Sequence, residues 1–264
     1  MTVSQNPSPD MPDPAFVVRL ATDPADLTAA LRLRYAVFVT EMGADGPLVD
    51  HRAGLEQDRF DPFFDHLILI DQTRKHGDHV VGVYRLLRDT AANELGQFYS
   101  EAEYDLTPLR QSGRRLLELG RSCLHPDYRG GAAMYHLWHG VADYVALHGI
   151  EILFGVASFH GTDLAALAAR LSLLHQDHLA PPDLRVRSRQ FQPMDLLPPD
   201  AIDRRVAMLA VPSLIKAYLR LGGYVGEGAF VDHAFNTTDV CLVMDTARMN
   251  VAQTALYTKV RDDR

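Results

Sequence analysis

Arg129-Gly130-Gly131 stands where a segment that reads as a strand gives way to one that reads as a helix. A glycine-bearing turn that runs into a helix start presents backbone N–H groups with no helical carbonyl to take them. Such a turn can hold a phosphate or pyrophosphate. Upstream, Glu118, Arg121 and Ser122 lie on the strand itself. Strict alternation puts Glu118 and Ser122 on one face and Arg121 on the other. A bulge at Gly120 would change that and release a backbone N–H. Asp58, Asp61 and Asp65 offer negative charge to Arg34 and Arg85, and an arginine fork matches a carboxylate with two bonds. No G-x-S-x-G nucleophile elbow occurs. Cys123 sits in an apolar strand and reads as core. His136 and His139, like His175 and His178, are three apart, but no carboxylate or cysteine completes a zinc motif, so no metal is expected.

The strand is predicted over 116–125, the turn over 126–131 and the helix over 132–148. Met134, Leu137, Trp138, Val141 and Val145 recur at helical spacing and Gly149 ends the run. A second strand over 152–158 completes a crossover, which favours parallel pairing. Before it come a strand over 16–21 and a helix from Asp23-Pro24, with Leu27, Leu31, Arg34, Tyr35 and Phe38 on related faces. Strands over 66–71 and 79–87 give an antiparallel half-sheet. Residues 89–113 read as a long connection with a helical piece near 100–104. Beyond the crossover come a helix over 163–174, a loop over 175–182 and a strand over 184–190. In that strand Leu184, Val186 and Ser188 alternate with Arg185, Arg187 and Arg189. The arginines read as a solvated face, with a docking patch for an acidic partner as the alternative. A helix opened by Pro212 places Leu214, Ile215, Tyr218 and Leu221 inward, and residues 230–244 close the sheet.

The bulk properties bound the classes. A net charge of -8 argues against a nucleic-acid binder, which needs a basic face. The two cysteines, Cys123 and Cys241, fit a reducing cytosol. No apolar run approaches the roughly 20 residues that span a bilayer. The expected protein is cytoplasmic, with peripheral contact at the inner face of the membrane as an extension. Residues 1–14, polar and proline-bearing, read as a disordered tail, 15–250 as one domain and 251–264 as a second tail.

Glu118-Leu119-Gly120-Arg121-Ser122, followed by His125-Pro126-Asp127-Tyr128-Arg129-Gly130-Gly131, resembles the core of the GNAT superfamily of N-acyltransferases. The fold implied is mixed α/β, with a mostly antiparallel sheet and helices on both faces. In that superfamily the strand is splayed and the next loop, R/Q-x-x-G-x-G/A, takes the pyrophosphate of coenzyme A. Here Ala132 and Met134 stand at the fourth and sixth positions. That departure turns the resemblance from free coenzyme A toward the single phosphate of a carrier-bound phosphopantetheine, held by Arg129, Gly130 and Gly131. A narrower resemblance, to the ornithine-lipid N-acyltransferases and the related acyl-homoserine-lactone synthases, rests on several stretches. They are the run from Leu31 to Gly43, Asp58-Arg59-Phe60-Asp61, Phe64-Asp65-His66-Leu67, Gly82 to Leu87, Phe98-Tyr99-Ser100-Glu101 and Asp232 to Thr237.

The resemblance implies transfer of a 3-hydroxylated fatty acyl group from acyl carrier protein to the α-amine of L-ornithine, with no bound cofactor. Such chemistry needs a proton acceptor for the amine, donors for the oxyanion and a proton for the leaving thiolate. Glu118 is the candidate base, or else a strand carboxylate paired with an arginine. Arg121 orients it or contacts substrate. Tyr218, in a stretch similar to the superfamily's Y-x-x-x-G ending, protonates the thiolate or is a core tyrosine. Arg34, Asp58, Asp61, Asp65 and Arg85 bind the amino acid or form a structural network. Phe38 lines the acyl pocket or the core, and Ser122 contacts substrate. The alternatives are the same chemistry on glutamine or another amino acid, an acyl-homoserine-lactone synthase using S-adenosylmethionine, and a non-catalytic protein that sequesters acyl carrier protein or lipid. The H-x-x-x-x-D spacing of glycerolipid acyltransferases occurs at both His66 and His178, without that family's glycine-bearing phosphate motif.

Overall fold

The computed structural model describes residues 13–233 and 235–249. In chain order its strands and α-helices are β1 (Phe16–Leu20), α1 (Pro24–Arg34), β2 (Asp65–Asp71), β3 (Val80–Arg88), α2 (Asp89–Leu95), β4 (Tyr104–Asp105), α3 (Thr107–Gln111), β5 (Leu116–Leu124), α4 (Ala133–His148), β6 (Ile152–His160), α5 (Leu164–His178), β7 (Arg187–Ser188), α6 (Arg204–Ala210), α7 (Ser213–Arg220), β8 (Tyr224–Val225), β9 (Phe230–Asp232) and β10 (Thr237–Asp245). A π-helix, Tyr35–Glu41, follows α1 directly. The expected C-terminal tail lies outside the described residues, as does all but the end of the N-terminal one.

The chain divides into two compact units. The first holds residues up to 59, 65–85 and 121–141. Its strand order is β1-β2-β3-β5, with β1 antiparallel to β2 in the register Phe16↔Asp71. Asp23 caps α1 by accepting from Asp26 N, and Pro24 sits at its first turn, where a missing N–H costs nothing. The core gathers Ala29, Ala30, Leu33 and Val37 with Ile68, Ile70, Val83 and Cys123. Alanines let α1 approach the strands closely. Gly140 does the same for α4, since a Cβ there would stand 2.4 Å from Val18 Cγ1.

The second unit holds residues 60–64, 86–120 and those from 142 on. Its strands run β3-β5-β6-β10-β8, with β9 also on β10. β5 pairs parallel with β6 through Leu116↔Ile152 to Glu118↔Phe154, as the crossover predicted. The pairings of β1 with β2, β10 with β6, β8 and β9, and β4 with β7 are antiparallel. All nine residues of β10 are buried. The core packs Phe98 edge-on against Phe154 and adds Leu87, Leu106, Leu116, Val186 and Val243.

Three expectations are corrected. The 89–113 connection is built from α2, a 3-10 turn at Tyr99–Ala102, β4 and α3; Gly96 at φ +89 ends α2. The loop expected over 175–182 begins later, because α5 continues through His178. The strand expected over 184–190 shrinks to β7, paired with β4. Burial still alternates there, with Leu184, Val186 and Ser188 inside. Loop contacts hold the arginines: Arg185 Nε donates to Ala180 O, and Arg187 pairs with Glu227 at 2.7 Å and stacks on Phe191.

Candidate active site

In the first unit the decisive local feature is Arg121, which sits in β5 at φ +48. An L-residue rarely adopts this conformation, at a cost of about 1–3 kcal/mol. The irregularity falls one residue after the bulge expected at Gly120. From it the guanidinium reaches two carboxylates, Glu56 at 3.1 Å and Asp58 at 3.5 Å. Glu56 also accepts from Arg34 at 2.5 Å, and Asp58 from Arg85 at 2.7 Å. The result is a chain of ion pairs, Arg34–Glu56–Arg121–Asp58–Arg85. Arg34 and Arg85 are 0% and 1% exposed, so water does little to screen them.

The sequence pointed to Arg34, Asp58, Arg85 and Arg121, and the fold brings them together. It did not single out Glu56, which bridges two of them from a loop without periodicity. The signal available was an acidic residue two positions before Asp58. Asp65 opens β2, half-buried. Phe38, in the π-helix, packs on the core cluster with its ring centroid 5.9 Å from the Arg121 guanidinium carbon. Ser122 Oγ is buried without a hydrogen-bond partner among the described residues. Cys123 is buried beside this network; burial pushes its thiol up to about 12, which suits core and not nucleophile.

Downstream of β5 comes a 3-10 turn, Pro126–Tyr128, opened by His125, whose Nδ1 accepts from Asp127 N. Tyr128 is pinned by its hydroxyl, which donates to Asp71 at 2.6 Å. Arg129 then turns its Nε to Leu124 O and both terminal nitrogens to Glu41, at 2.6 and 2.7 Å. Gly130 takes φ +77, and Gly131 is exposed.

In the second unit Glu118 is 1% exposed. One of its oxygens accepts from Ser100 N at 2.6 Å and from the Ser100 hydroxyl, and the other from Tyr99 N at 2.7 Å. The carboxylate thus closes the N-terminus of the Tyr99–Ala102 turn, taking N–H groups that the turn cannot satisfy itself. Gly155 of β6 lies so close to Leu119 that a Cβ would stand 2.1 Å from the Leu119 carbonyl oxygen. Asp61 is buried at the start of a 3-10 turn, Asp61–Phe63, whose other two residues are exposed, and Tyr218 is buried in α7. Glu103, Asp232 and Asp239 bring carboxylate oxygens within 4.8 Å of one another, a grouping that no sequence signal marked.

An acetyltransferase (GNAT) domain model matches residues 33–139. An L-ornithine N(alpha)-acyltransferase of Rhodobacter capsulatus is 63% identical over 247 residues, 93% of this chain and 95% of the relative. The chain belongs to the L-ornithine N(alpha)-acyltransferase family. A second member, from Brucella abortus, is 42% identical over 246 residues, 91% of this chain and 88% of its own. The solved structure of FeeM, an N-acyl amino acid synthase from uncultured soil microbes, aligns with a TM-score of 0.53 at 14% identity, covering 91% of this chain and 98% of that one. At that identity the likeness shows the fold. The protein is therefore an acyltransferase of the GNAT fold, as the Glu118–Ser122 and His125–Gly131 motifs suggested.

Proposed function

We propose that this protein transfers a 3-hydroxylated fatty acyl group from the phosphopantetheine thioester of acyl carrier protein to the α-amine of L-ornithine, giving lyso-ornithine lipid. The observation that carries the reading is the 63% identity, over nearly the whole chain, to a relative named for N(alpha)-acylation of L-ornithine. The amine nitrogen attacks the thioester carbonyl, the C–N bond forms and the C–S bond breaks. The amine's proton goes to a base, and the carrier's thiolate leaves to be protonated. The thioester is already activated, so no covalent enzyme intermediate is needed.

In this reading the ion-pair chain of the first unit holds the free amino acid. Arg121, 17% exposed at its side chain, offers guanidinium donors for the carboxylate and Asp58, with Asp65, negative charge for ammonium groups, while the buried Arg34, Glu56 and Arg85 hold Arg121 and Asp58 in place. Ser122 Oγ, buried and without a hydrogen-bond partner among the described residues, is the donor for the thioester oxygen. Phe38 borders the acyl chain. Arg129, Gly130 and Gly131 take the phosphate of the carrier's arm, and Tyr218 protonates the thiolate. Glu118 remains the candidate base, receiving the proton through the Ser100 hydroxyl that donates to it. No described helix is long and apolar enough to cross a membrane, and the amphiphilic product would be delivered to the inner membrane face by peripheral contact.

The test is thiol release by purified protein with 3-hydroxyacyl carrier protein, offering ornithine, glutamine, lysine or S-adenosylmethionine in turn, with products weighed by mass spectrometry. Acylated ornithine is expected. Acylated glutamine alone would change the substrate. A lactone product from S-adenosylmethionine would replace the reading by a signal synthase, and carrier binding without release by a sequestering protein.

A further inference from the structure

Arg129 is the one side chain of the donor turn that can make charge-assisted bonds to a phosphate, and its fork is occupied from within. Its Nε is fixed to Leu124 O, which sets the plane of the guanidinium. Both terminal nitrogens then meet the two oxygens of Glu41, at 2.6 and 2.7 Å. This is the side-on, two-bonded arrangement in which guanidinium groups also grip phosphates. Glu41 is the last residue of the π-helix. Two residues on, just past the end of that helix, Gly43 takes φ +76. Both partners are accessible, with side chains 41% and 44% exposed.

We propose that Glu41 is an internal competitor for the donor's phosphate: its carboxylate holds the Arg129 fork until the phosphopantetheine arm displaces it, and Glu41 thereby sets the affinity for the donor. This rests on the reading of Arg129 as the phosphate-binding arginine. A carboxylate carries less charge than a phosphate and has only two oxygens, so the exchange favours the donor while lowering its net affinity. An exposed ion pair limits that effect to about fivefold. Glu41 is a positioning residue and touches no reacting atom, so it acts on KM and leaves kcat alone.

The experiment measures binding of 4′-phosphopantetheine by calorimetry, with pantetheine as the phosphate-free control, in the parent, Glu41→Gln, Arg129→Ala and the double variant. Glu41→Gln is expected to tighten phosphopantetheine binding about two- to fivefold. It should leave pantetheine unchanged and lower the KM for acylated carrier at constant kcat, and the gain should vanish in the double variant. If Glu41→Gln binds phosphopantetheine no better or more weakly, Glu41 is a buttress for Arg129 and the competition is refuted, whatever Arg129 does. If Arg129→Ala binds phosphopantetheine as tightly as the parent, the underlying assignment of the donor turn fails, and the competition with it.

Discussion

Glu56→Gln is the perturbation that tests the ion-pair chain most sharply. The amide keeps the shape of the side chain and removes its charge. Arg34, at 0% exposure, then loses a carboxylate partner at 2.5 Å, and Arg121 loses one at 3.1 Å. Removing one member of a buried pair typically costs about 3–5 kcal/mol, because the other charge is left buried. That is a large part of the roughly 5–15 kcal/mol that holds a domain folded. With a urea slope of about 3 kcal/mol/M, the midpoint should fall by about 1–2 M. Replacing both partners, Arg34→Met with Glu56→Met, should restore part of the loss, since the buried Arg34 charge is gone and Arg121 keeps Asp58. A midpoint shift below about 0.3 M for Glu56→Gln would show that the network is screened and refute the argument. A double variant as weak as the single one would mean that packing, not charge, was lost.

Glu118→Gln presents an amide where three donors converge, so stability should drop by about 1–3 kcal/mol in the same urea assay. An unchanged midpoint with full activity would remove both its anchoring and its base role. Gly155→Ala forces a methyl group against the Leu119 carbonyl and should cost about 1–3 kcal/mol, read as a lower thermal midpoint; a neutral result would deny the close approach. The hydrogen-bonded Arg114 guanidinium holds the Asp245 carboxyl below the usual carboxylate range. Its stabilisation is therefore present above that range and lost as pH falls through the lowered folded value. Asp245→Asn should flatten the parent's loss of stability below about pH 4, and equal slopes would contradict it. Cys123 and Cys241, both buried with thiols pushed up by burial, should react with a thiol reagent in the native protein no faster than the protein opens; rapid labelling would contradict this.

The strand–turn–helix–strand run was legible because one helical face and one terminating glycine suffice to define it, and the family motifs lay on it. Arg34, Asp58, Arg85 and Arg121 were legible as types, but their partner Glu56 was not. It lies in a loop, and its bond to Arg34 spans 22 residues of chain that no periodicity links. The π-helix was hidden because Tyr35 and Phe38 keep a spacing that an α-helix would share. Its wider turn depends on which carbonyls the N–H groups find. Short helices such as α2 and α3 carry too few residues to show a period. The arginine segment alternated because its burial alternates, and burial alone does not dictate a ladder partner. Glu118 reads from the sequence as a strand carboxylate, yet its tie to Ser100 is a tertiary contact with a turn the sequence placed only loosely.

Among the described residues β10 is the last strand of the sheet in sequence, yet it is flanked on both sides and buried along its whole length. β6 pairs with it from Ile152↔Asp245 to His160↔Thr237. Everything from α5 to β9 is synthesised between those two partners. While the chain is being made, β6 therefore waits with an unpaired edge, and such an edge invites another chain to add to it. Pairing across so long a stretch is slow to form. The second unit is thus the part of this protein with the most to gain from a chaperone, and the part where aggregation during synthesis should begin.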